Sequence, residues 1–379
     1  MKKIVYLTAV LALFACSKNN QEPSQPQPEP QEEENYPVTV PAFAKGADVS
    51  WLSEMEHNKK TFVKKDGTKA DCFEVLKDCG VNAIRLRVWV NPYGGWSGKE
   101  DMAALALRAV KAGLPVMVDF HYSDFFCDPA RQTPPEAWMA DISDVNKMAA
   151  HVAEHTEEVL TFLKDKGVTP SWIQIGNETR NGMLWPLGKL WGDGAGGWVN
   201  FAKLYMAGYD AAKKVVPDAK VMPHLPNAFS DNNWWLDALL EQKGKFDMIA
   251  LSHYPQAGSK ENGVVLDADA CNALALERIA ALAKRTPVMV SEVGVKTNNN
   301  ENEAKRVLAA FMTGVKGISN VKGVFYWEPE VYDWWKPSVY NDAAAIYKYT
   351  GKRETWGSYD SGAFLTGGRP SSVMSVFAN

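Results

Sequence analysis

The sequence predicts an α/β protein, a single-domain (β/α)8 TIM barrel, on three observations. Short apolar runs rich in β-branched residues alternate with longer amphipathic stretches, there are eight such runs, and nearly every run ends in polar or aromatic side chains. Apolar strands separated by helices imply a parallel sheet covered by those helices, and eight units favour closure into a ring over an open sheet.

The first run, residues 45–51, carries Asp48 and Trp51 at its end. Its Gly46-Ala47-Asp48-Val49 is no G-x-G-x-x-G, which counts against a dinucleotide-binding open sheet. An amphipathic stretch, 70–79, leads to the second run, 83–89, ending in Arg87 and Trp89. The stretch 101–112 leads to the third, 115–121, with His121 at its end and Asp124 just beyond. Residues 145–163 repeat apolar side chains at helical spacing and precede the fourth run, 172–178, which closes on Asn177 and Glu178. The fifth run (220–226) ends in His224 and Asn227, the sixth (248–254) in His253 and Tyr254, the seventh (287–293) in Glu292. Residues 301–315 form the last long amphipathic stretch before the eighth run, 323–328, with Trp327 and Glu328. In a barrel the carboxyl ends of all strands share the face that bears active sites, so eight polar run-ends are expected to converge there.

Composition narrows the function. At 379 residues the chain suits one large domain, and a net charge of −4 gives no electrostatic case for a nucleic-acid partner. Five cysteines are too few for a disulfide scaffold. Fourteen Trp, 13 Tyr and 15 Phe suit a large core and also a cleft that stacks flat ligands.

The amino terminus reads as an address. Lys2 and Lys3 precede an apolar stretch over residues 4–15, too short to span a bilayer and suited to a secretory signal. It closes on Leu13-Phe14-Ala15-Cys16, similar to the lipobox of bacterial lipoproteins, which implies a lipid on Cys16 and a membrane-anchored protein at the cell surface or in the periplasm. Residues 16–37, rich in Pro, Gln and Glu, are expected to be a tether, and 38–379 the folded domain.

Two carboxylates carry the chemistry. Neither Glu178 nor Glu292 has reason to end an apolar strand unless it faces a polar cavity. Strands four and seven lie three apart around an eight-strand ring, so their carboxylates can face each other across the mouth. Glycosidic hydrolysis needs such a pair, one attacking the anomeric carbon or activating water, the other protonating the leaving oxygen.

These residues resemble the clan A glycoside hydrolases, and within the clan the endo-β-1,4-galactanases of glycoside hydrolase family 53. The stretches that carry the resemblance are Gly46-Ala47-Asp48-Val49-Ser50, Arg85-Leu86-Arg87-Val88-Trp89 with Asn91-Pro92, and Asp119-Phe120-His121-Tyr122-Ser123-Asp124. Asp128-Pro129, Gln174-Ile175-Gly176-Asn177-Glu178, Ser291-Glu292-Val293-Gly294 and Tyr326-Trp327-Glu328-Pro329 continue it. The resemblance implies a retaining enzyme acting on plant β-1,4-galactan, with Glu178 as general acid then base and Glu292 as nucleophile. It also implies that Arg85 keeps Glu292 ionised, with Arg87 an alternative on the same face. Asn177 would hold the sugar 2-hydroxyl, Tyr254 or His253 would bond the nucleophile, and Trp327 would form a stacking floor. Asp48, Arg87, Trp89, His121, Asp124 and His224 are expected to touch substrate. No cofactor is expected, and a monomer is.

Some relatives hold calcium in the loop after strand eight. Here residues 328–349 offer Glu330, Asp333, Asn341 and Asp342 without the alternating Asp/Asn pattern of a calcium loop, so no metal is expected. Trp334 and Trp335 in that loop either shape distal subsites or pack it onto the barrel. His151-Val152-Ala153-Glu154-His155 matches the zinc signature H-x-x-E-H, but its helix has an apolar stripe bordered by His155, which suits a half-exposed helix better than a metal site. Asn298-Asn299-Asn300 reads as a solvated loop capping the next helix. The rival functions are another clan A endo-β-1,4-glycanase, such as a mannanase or cellulase, and a surface lipoprotein that binds glycan without cleaving it.

Overall fold

The computed structural model describes residues 36–255, 258–297, 300–351 and 361–378. Cys16, the signal segment, the tether up to residue 35, and Asn298 and Asn299 lie outside the described residues. Tyr36 and Val38 already pack against the core, so contact with the barrel begins inside the segment expected to be tether.

The eight barrel strands are β1 (Ala44–Asp48), β2 (Ala83–Val88), β3 (Val116–Phe120), β4 (Trp172–Ile175), β5 (Lys220–Met222 and His224–Leu225), β6 (Ile249–His253), β7 (Val288–Val293) and β8 (Val321–Trp327). Each pairs in parallel with the next, and β8 pairs with β1 in the register Asp48↔Trp327, closing the ring. The fifth strand is broken at Pro223. Its first half pairs with β4 and its second with β6, because proline has no N–H to give the ladder, although its carbonyl still accepts from Ala250 N–H at 2.9 Å.

Helices α1 (Cys72–Asp78), α2 (Lys99–Lys111), α3 (Val145–Asp165), α4 (Gly197–Val215), α5 (Asn233–Glu241), α6 (Ala268–Ala283) and α7 (Glu301–Lys316) follow the first seven strands. Each amphipathic stretch expected from spacing is a helix, with ends moved by a few residues. The starts have local causes: Asp71, Asp144, Asp267 and Asn300 accept backbone N–H groups of the first turn. The eighth position departs from the expected pattern. A short helix α8 (Ala343–Thr350) lies beside the β3 loop, its Tyr349 stacked on Phe125 at 5.2 Å. A 3-10 segment, Ser372–Ala378, packs between α7 and Gly80, with Phe377 against Tyr326 of β8.

Inside the ring Ala44, Ala83, Met117, Trp172, Met222, Met248, Ala250, Met289 and Phe325 form a closed floor. Large and small residues interdigitate there. A Cβ on Gly46 would sit 2.0 Å from the Phe325 ring, so only glycine fits opposite it. Everything polar within the ring is thereby displaced to the carboxyl ends of the strands.

Candidate active site

Strand alternation supplies the inward side chains. On β2, Ala83 faces the floor, so Arg85 and Arg87 follow it inward. On β3 Met117 is followed by Asp119, on β4 Trp172 by Gln174, and on β6 Ala250 by Ser252 and then Tyr254. Two positions need more than alternation. Past Ile175 the chain turns through Gly176 (φ 79°) and Glu178 (φ 50°), which brings Asn177 and Glu178 over the mouth. On β7 Met289 is inward, so Glu292 should point out. A bulge at Ser291, where Leu251↔Val290 is followed by Ser252↔Glu292, restores Glu292 to the interior.

The result is a cleft of about 330 Å3 lined by Glu178 and Glu292 together with Asp48, Arg85, Arg87, His121, Asn177, Tyr254 and Trp327. Of the residues expected at the site, these share one cavity. Phe126, Cys127, Asp128, Arg131 and Tyr340 complete its wall.

Arg85 is the hub. It is buried and donates from Nη1 to Asp48 Oδ2 (2.6 Å) and from Nη2 to Asp119 Oδ2 (2.8 Å), with Glu292 Oε1 at 2.9 Å. The open choice between the two arginines is thereby settled in favour of Arg85 as the partner of Glu292. Arg87 instead pairs with Glu328 and is enclosed by Trp51, Trp89 and Phe126 at 4.1–4.8 Å. Burial alone would raise the Asp119 carboxyl, yet Arg85 and His121 hold it below its ordinary value. His121 Nδ1 accepts the Cys127 N–H at 3.0 Å, which leaves Nε2–H to donate to Asp119 Oδ2 at 2.9 Å. Asn177 Oδ1 accepts from Arg85 Nη2 and Gln174 Nε2, each at 3.1 Å, while its Nδ2 donates to the Cys127 carbonyl at 2.8 Å.

The two carboxylates sit in unlike surroundings. Glu292 accepts the Tyr254 hydroxyl at 2.7 Å as well as Arg85. Burial pushes its carboxyl up, and these two donors work against the rise. Glu178 is half-buried, and burial with the Glu292 charge carries it well above the ordinary range, opposed chiefly by the neutral Ser252 hydroxyl. A proton shared by the pair therefore resides on Glu178.

Four expected substrate or support residues do not reach the cleft. His253 faces outward by the alternation of β6, bonding Asn272 Oδ1 at 2.8 Å, with Phe311 4.2 Å away and burial lowering it to about 4, so of the two it is Tyr254 that donates to Glu292. Trp89 is buried beneath Arg87 against Trp51 and Phe126. Asp124 joins two loops, accepting Asn91 N–H and Glu136 N–H at 2.9 Å each. His224 lies under the acid: Glu178 N–H donates to its Nδ1 at 3.2 Å, and Ser252 Oγ is 2.8 Å from its Nε2. Burial and Arg85 keep its imidazole well below its ordinary value, hence uncharged. Asp119, Gln174 and Ser252 were missed as candidates, although each is a polar residue with inward parity on an otherwise apolar strand.

Two of the remaining acids of the loop after β8 are engaged otherwise and the third is closed off from solvent. Asp342 caps α8, Asp333 pairs with Lys60 at 3.5 Å and Glu330 is fully enclosed. No group of three or more His, Cys, Asp or Glu that could hold a metal ion comes together among the described residues. The same holds for H-x-x-E-H: His151 bonds Asp141 at 2.9 Å and stacks on Trp138, while His155 is enclosed by Phe120, Tyr122 and Trp138. Trp335 packs on Trp51, whereas Trp334 is exposed.

A closed (β/α)8 barrel with paired acids at the ends of its fourth and seventh strands defines the class of glycoside hydrolase barrels. The chain belongs to glycosyl hydrolase family 53, whose model matches residues 44–358. It is 31% identical over 302 residues to the arabinogalactan endo-β-1,4-galactanase of Thermothelomyces thermophilus, covering 75% of this chain and 89% of that one. It is 36% identical over 219 residues to an uncharacterized protein of Niallia circulans, covering 56% of this chain and only 59% of that protein's length. A solved structure of fungal β-1,4-galactanases superposes with a TM-score of 0.72 at 27% identity, over 89% of this chain and all of that one.

Proposed function

We propose that this chain is an endo-acting, retaining hydrolase of β-1,4-galactosidic bonds in galactan and arabinogalactan, working by double displacement. One observation carries the reading: two acids share one cleft, Glu292 held by Arg85 and Tyr254 and Glu178 by a neutral hydroxyl, unlike surroundings that suit an ionised nucleophile and a protonated acid. Glu292 attacks the anomeric carbon as the bond to the glycosidic oxygen breaks and that oxygen takes the Glu178 proton. Esterification removes the Glu292 charge, so the Glu178 carboxylate becomes easier to keep. It then takes a proton from the water that attacks the anomeric carbon and releases the ester. Asn177 has a second Nδ2 hydrogen for the sugar 2-hydroxyl, and Trp327, set perpendicular to Tyr254 at 6.1 Å, offers a face for a pyranose ring.

The choice of galactan is supported by the names of the relatives above. It is tested by incubating purified protein and its Glu178→Gln variant with galactan, mannan and cellulose and sizing the products. Galactan fragments from the unmodified protein alone are expected. Release from mannan or cellulose and none from galactan would keep the mechanism and reject the substrate.

We further propose that the mature protein starts at a lipidated Cys16 and is tethered to a membrane by residues 16–37, supported by Lys2, Lys3, the apolar residues 4–15 and the Leu13-Phe14-Ala15-Cys16 sequence. Cells fed labelled fatty acid should label the protein but not Cys16→Ser, and equal recovery of both in the soluble fraction overturns the anchor.

A further inference from the structure

The turn that carries the acid continues into a part of the surface that the cleft does not include. Trp191 and Trp234 are 45% and 39% exposed, their rings 5.9 Å apart and inclined at 55°. Arg180, two residues after Glu178 and thus at most about 7 Å of chain away, lays its guanidinium over Trp234 at 5.4 Å. The platform is held from below. Trp198 meets Trp234 edge-on at 6.3 Å, Arg180 Nη1 donates to Asn232 Oδ1 at 2.6 Å, and Trp235 Nε1 donates to the Arg180 carbonyl at 3.1 Å. From the other side Trp191 N–H donates to Asn181 Oδ1 at 3.1 Å, beside the hairpin of Gly182–Met183 and Gly188–Lys189.

We propose that Trp191 and Trp234, bridged to the cleft by Arg180, form a secondary binding platform for the part of a β-linked galactan chain that extends past the cleavage point. The proposal rests on the functional reading above. Glu178 would protonate the oxygen that departs with the leaving portion of the polymer, and Arg180, two residues further along the same turn, joins that turn to the platform. A galactopyranose has an axial oxygen on C4, the linkage oxygen within a β-1,4 chain, which leaves the hydrogens of C3, C4 and C5 on one face. That apolar face matches a tryptophan ring, and Arg180 supplies fixed donors for the hydroxyls at its rim. Two rings inclined to each other fit successive sugars of a twisted chain better than one flat ligand. An extended polymer gains affinity by engaging both cleft and platform, whereas a short oligosaccharide that fills only the cleft gains nothing.

The test compares the unmodified protein with Trp191→Ala/Trp234→Ala. Both side chains are surface residues, and matching thermal midpoints confirm folding. Polymeric galactan and a galactotriose-length substrate are assayed in parallel, and polymer affinity is read separately by gel retardation. The double variant is expected to raise KM for polymer about tenfold, equivalent to about 1.4 kcal/mol, with kcat and trimer hydrolysis unchanged. Unchanged polymer KM and retardation overturn the platform. So does self-association of the unmodified protein that the double variant abolishes while polymer affinity stays the same, which would make the patch an interface between copies. If no galactan is cleaved but another β-linked polysaccharide is retarded through these tryptophans, the substrate assignment fails while a glycan platform stands.

Discussion

Replacing Tyr254 with Phe removes a single hydroxyl from Glu292, the proposed nucleophile, and leaves the ring in place beside Trp327. That hydroxyl donates to Glu292 Oε2 at 2.7 Å, and burial and the neighbouring Glu292 charge hold its own proton on well above the ordinary tyrosine range, so it acts as a donor throughout. A hydrogen bond to a charged acceptor contributes about 1.5–3 kcal/mol. The bond favours ionised Glu292, so its loss raises the carboxyl further, and at 1.36 kcal/mol per pH unit the rise is about 1–2 units. Only ionised Glu292 attacks, so the acidic limb of kcat/KM, which reports this group in the free enzyme, moves upward by the same amount. The assay is reducing-end release from galactan between about pH 3 and pH 8, with the limb fitted for both proteins. Arg85 remains on Oε1, so activity on the plateau falls less than activity on the limb. An acidic limb that stays in place or moves downward, with activity lowered evenly at every pH, refutes the assignment of Tyr254 as the donor that keeps Glu292 ionised.

Four other perturbations read separate parts of the structure. Ser252→Ala takes the hydroxyl from Glu178 and is expected to move the basic limb of kcat/KM upward by about one unit while sparing the acidic limb; movement of the acidic limb alone would reverse the roles of the two acids. Glu292→Ala is expected to lower kcat on galactan by about 10⁴-fold or more with polymer retardation intact, whereas a pure binding protein has no turnover to lose. Glu330 is fully buried, its carboxyl finds no donor among the described residues beyond its own backbone, and burial with the Glu328 charge carries it well above the ordinary 4.5. Its contribution to stability is full below the unfolded value and lost as pH rises through the folded one. Calorimetry from about pH 5 to pH 8 should therefore show a falling midpoint that Glu330→Gln flattens, and equal slopes reject this account. Gly46→Ala forces a methyl to within 2.0 Å of the Phe325 ring and should cost about 1–3 kcal/mol in denaturant melts, an unchanged midpoint showing that the floor is looser than drawn.

The ring of strands was legible because a parallel sheet covered on both faces requires unbroken apolar runs, and such runs are conspicuous. Pro223 was a readable signal for the break in β5, since a residue without N–H interrupts a ladder, yet the run around it reads as continuous. The short final 3-10 segment was not legible, because Ser372–Ala378 has too few residues to show a helical period. Within the site, a polar residue at the end of an apolar run identified Glu178 and Glu292 but could not give the direction of each side chain. Counting from inward Ala250 would have placed Tyr254 inside and His253 outside. The same count applied to β7 would have turned Glu292 out, because the bulge at Ser291 leaves no signature in the residues themselves. Trp89 keeps the parity of Arg85 and Arg87, but it packs under Arg87 and Phe126 and so is covered instead of lining the cleft, which parity cannot show.

Two arginines two residues apart on one strand face acquire different work from their partners, and the difference bears on where protons reside. Around Arg85 one guanidinium serves Asp48, Asp119 and Glu292, three carboxylates for a single positive charge. His224 beside them is uncharged, so it offers no second cation. A fourth ionised carboxylate on Glu178 would add to this excess, opposed chiefly by a neutral hydroxyl, and burial with the Glu292 charge therefore carries the Glu178 carboxyl upward before any substrate arrives. Arg87 cannot relieve the excess, because Glu328 already occupies it and aromatic rings enclose the rest of its guanidinium. When Glu292 becomes an ester, the demand on Arg85 drops by one carboxylate and the penalty on an ionised Glu178 drops with it. In the proposed mechanism the buried hub that favours a protonated Glu178 in the first step would thus permit it to act as a base in the second.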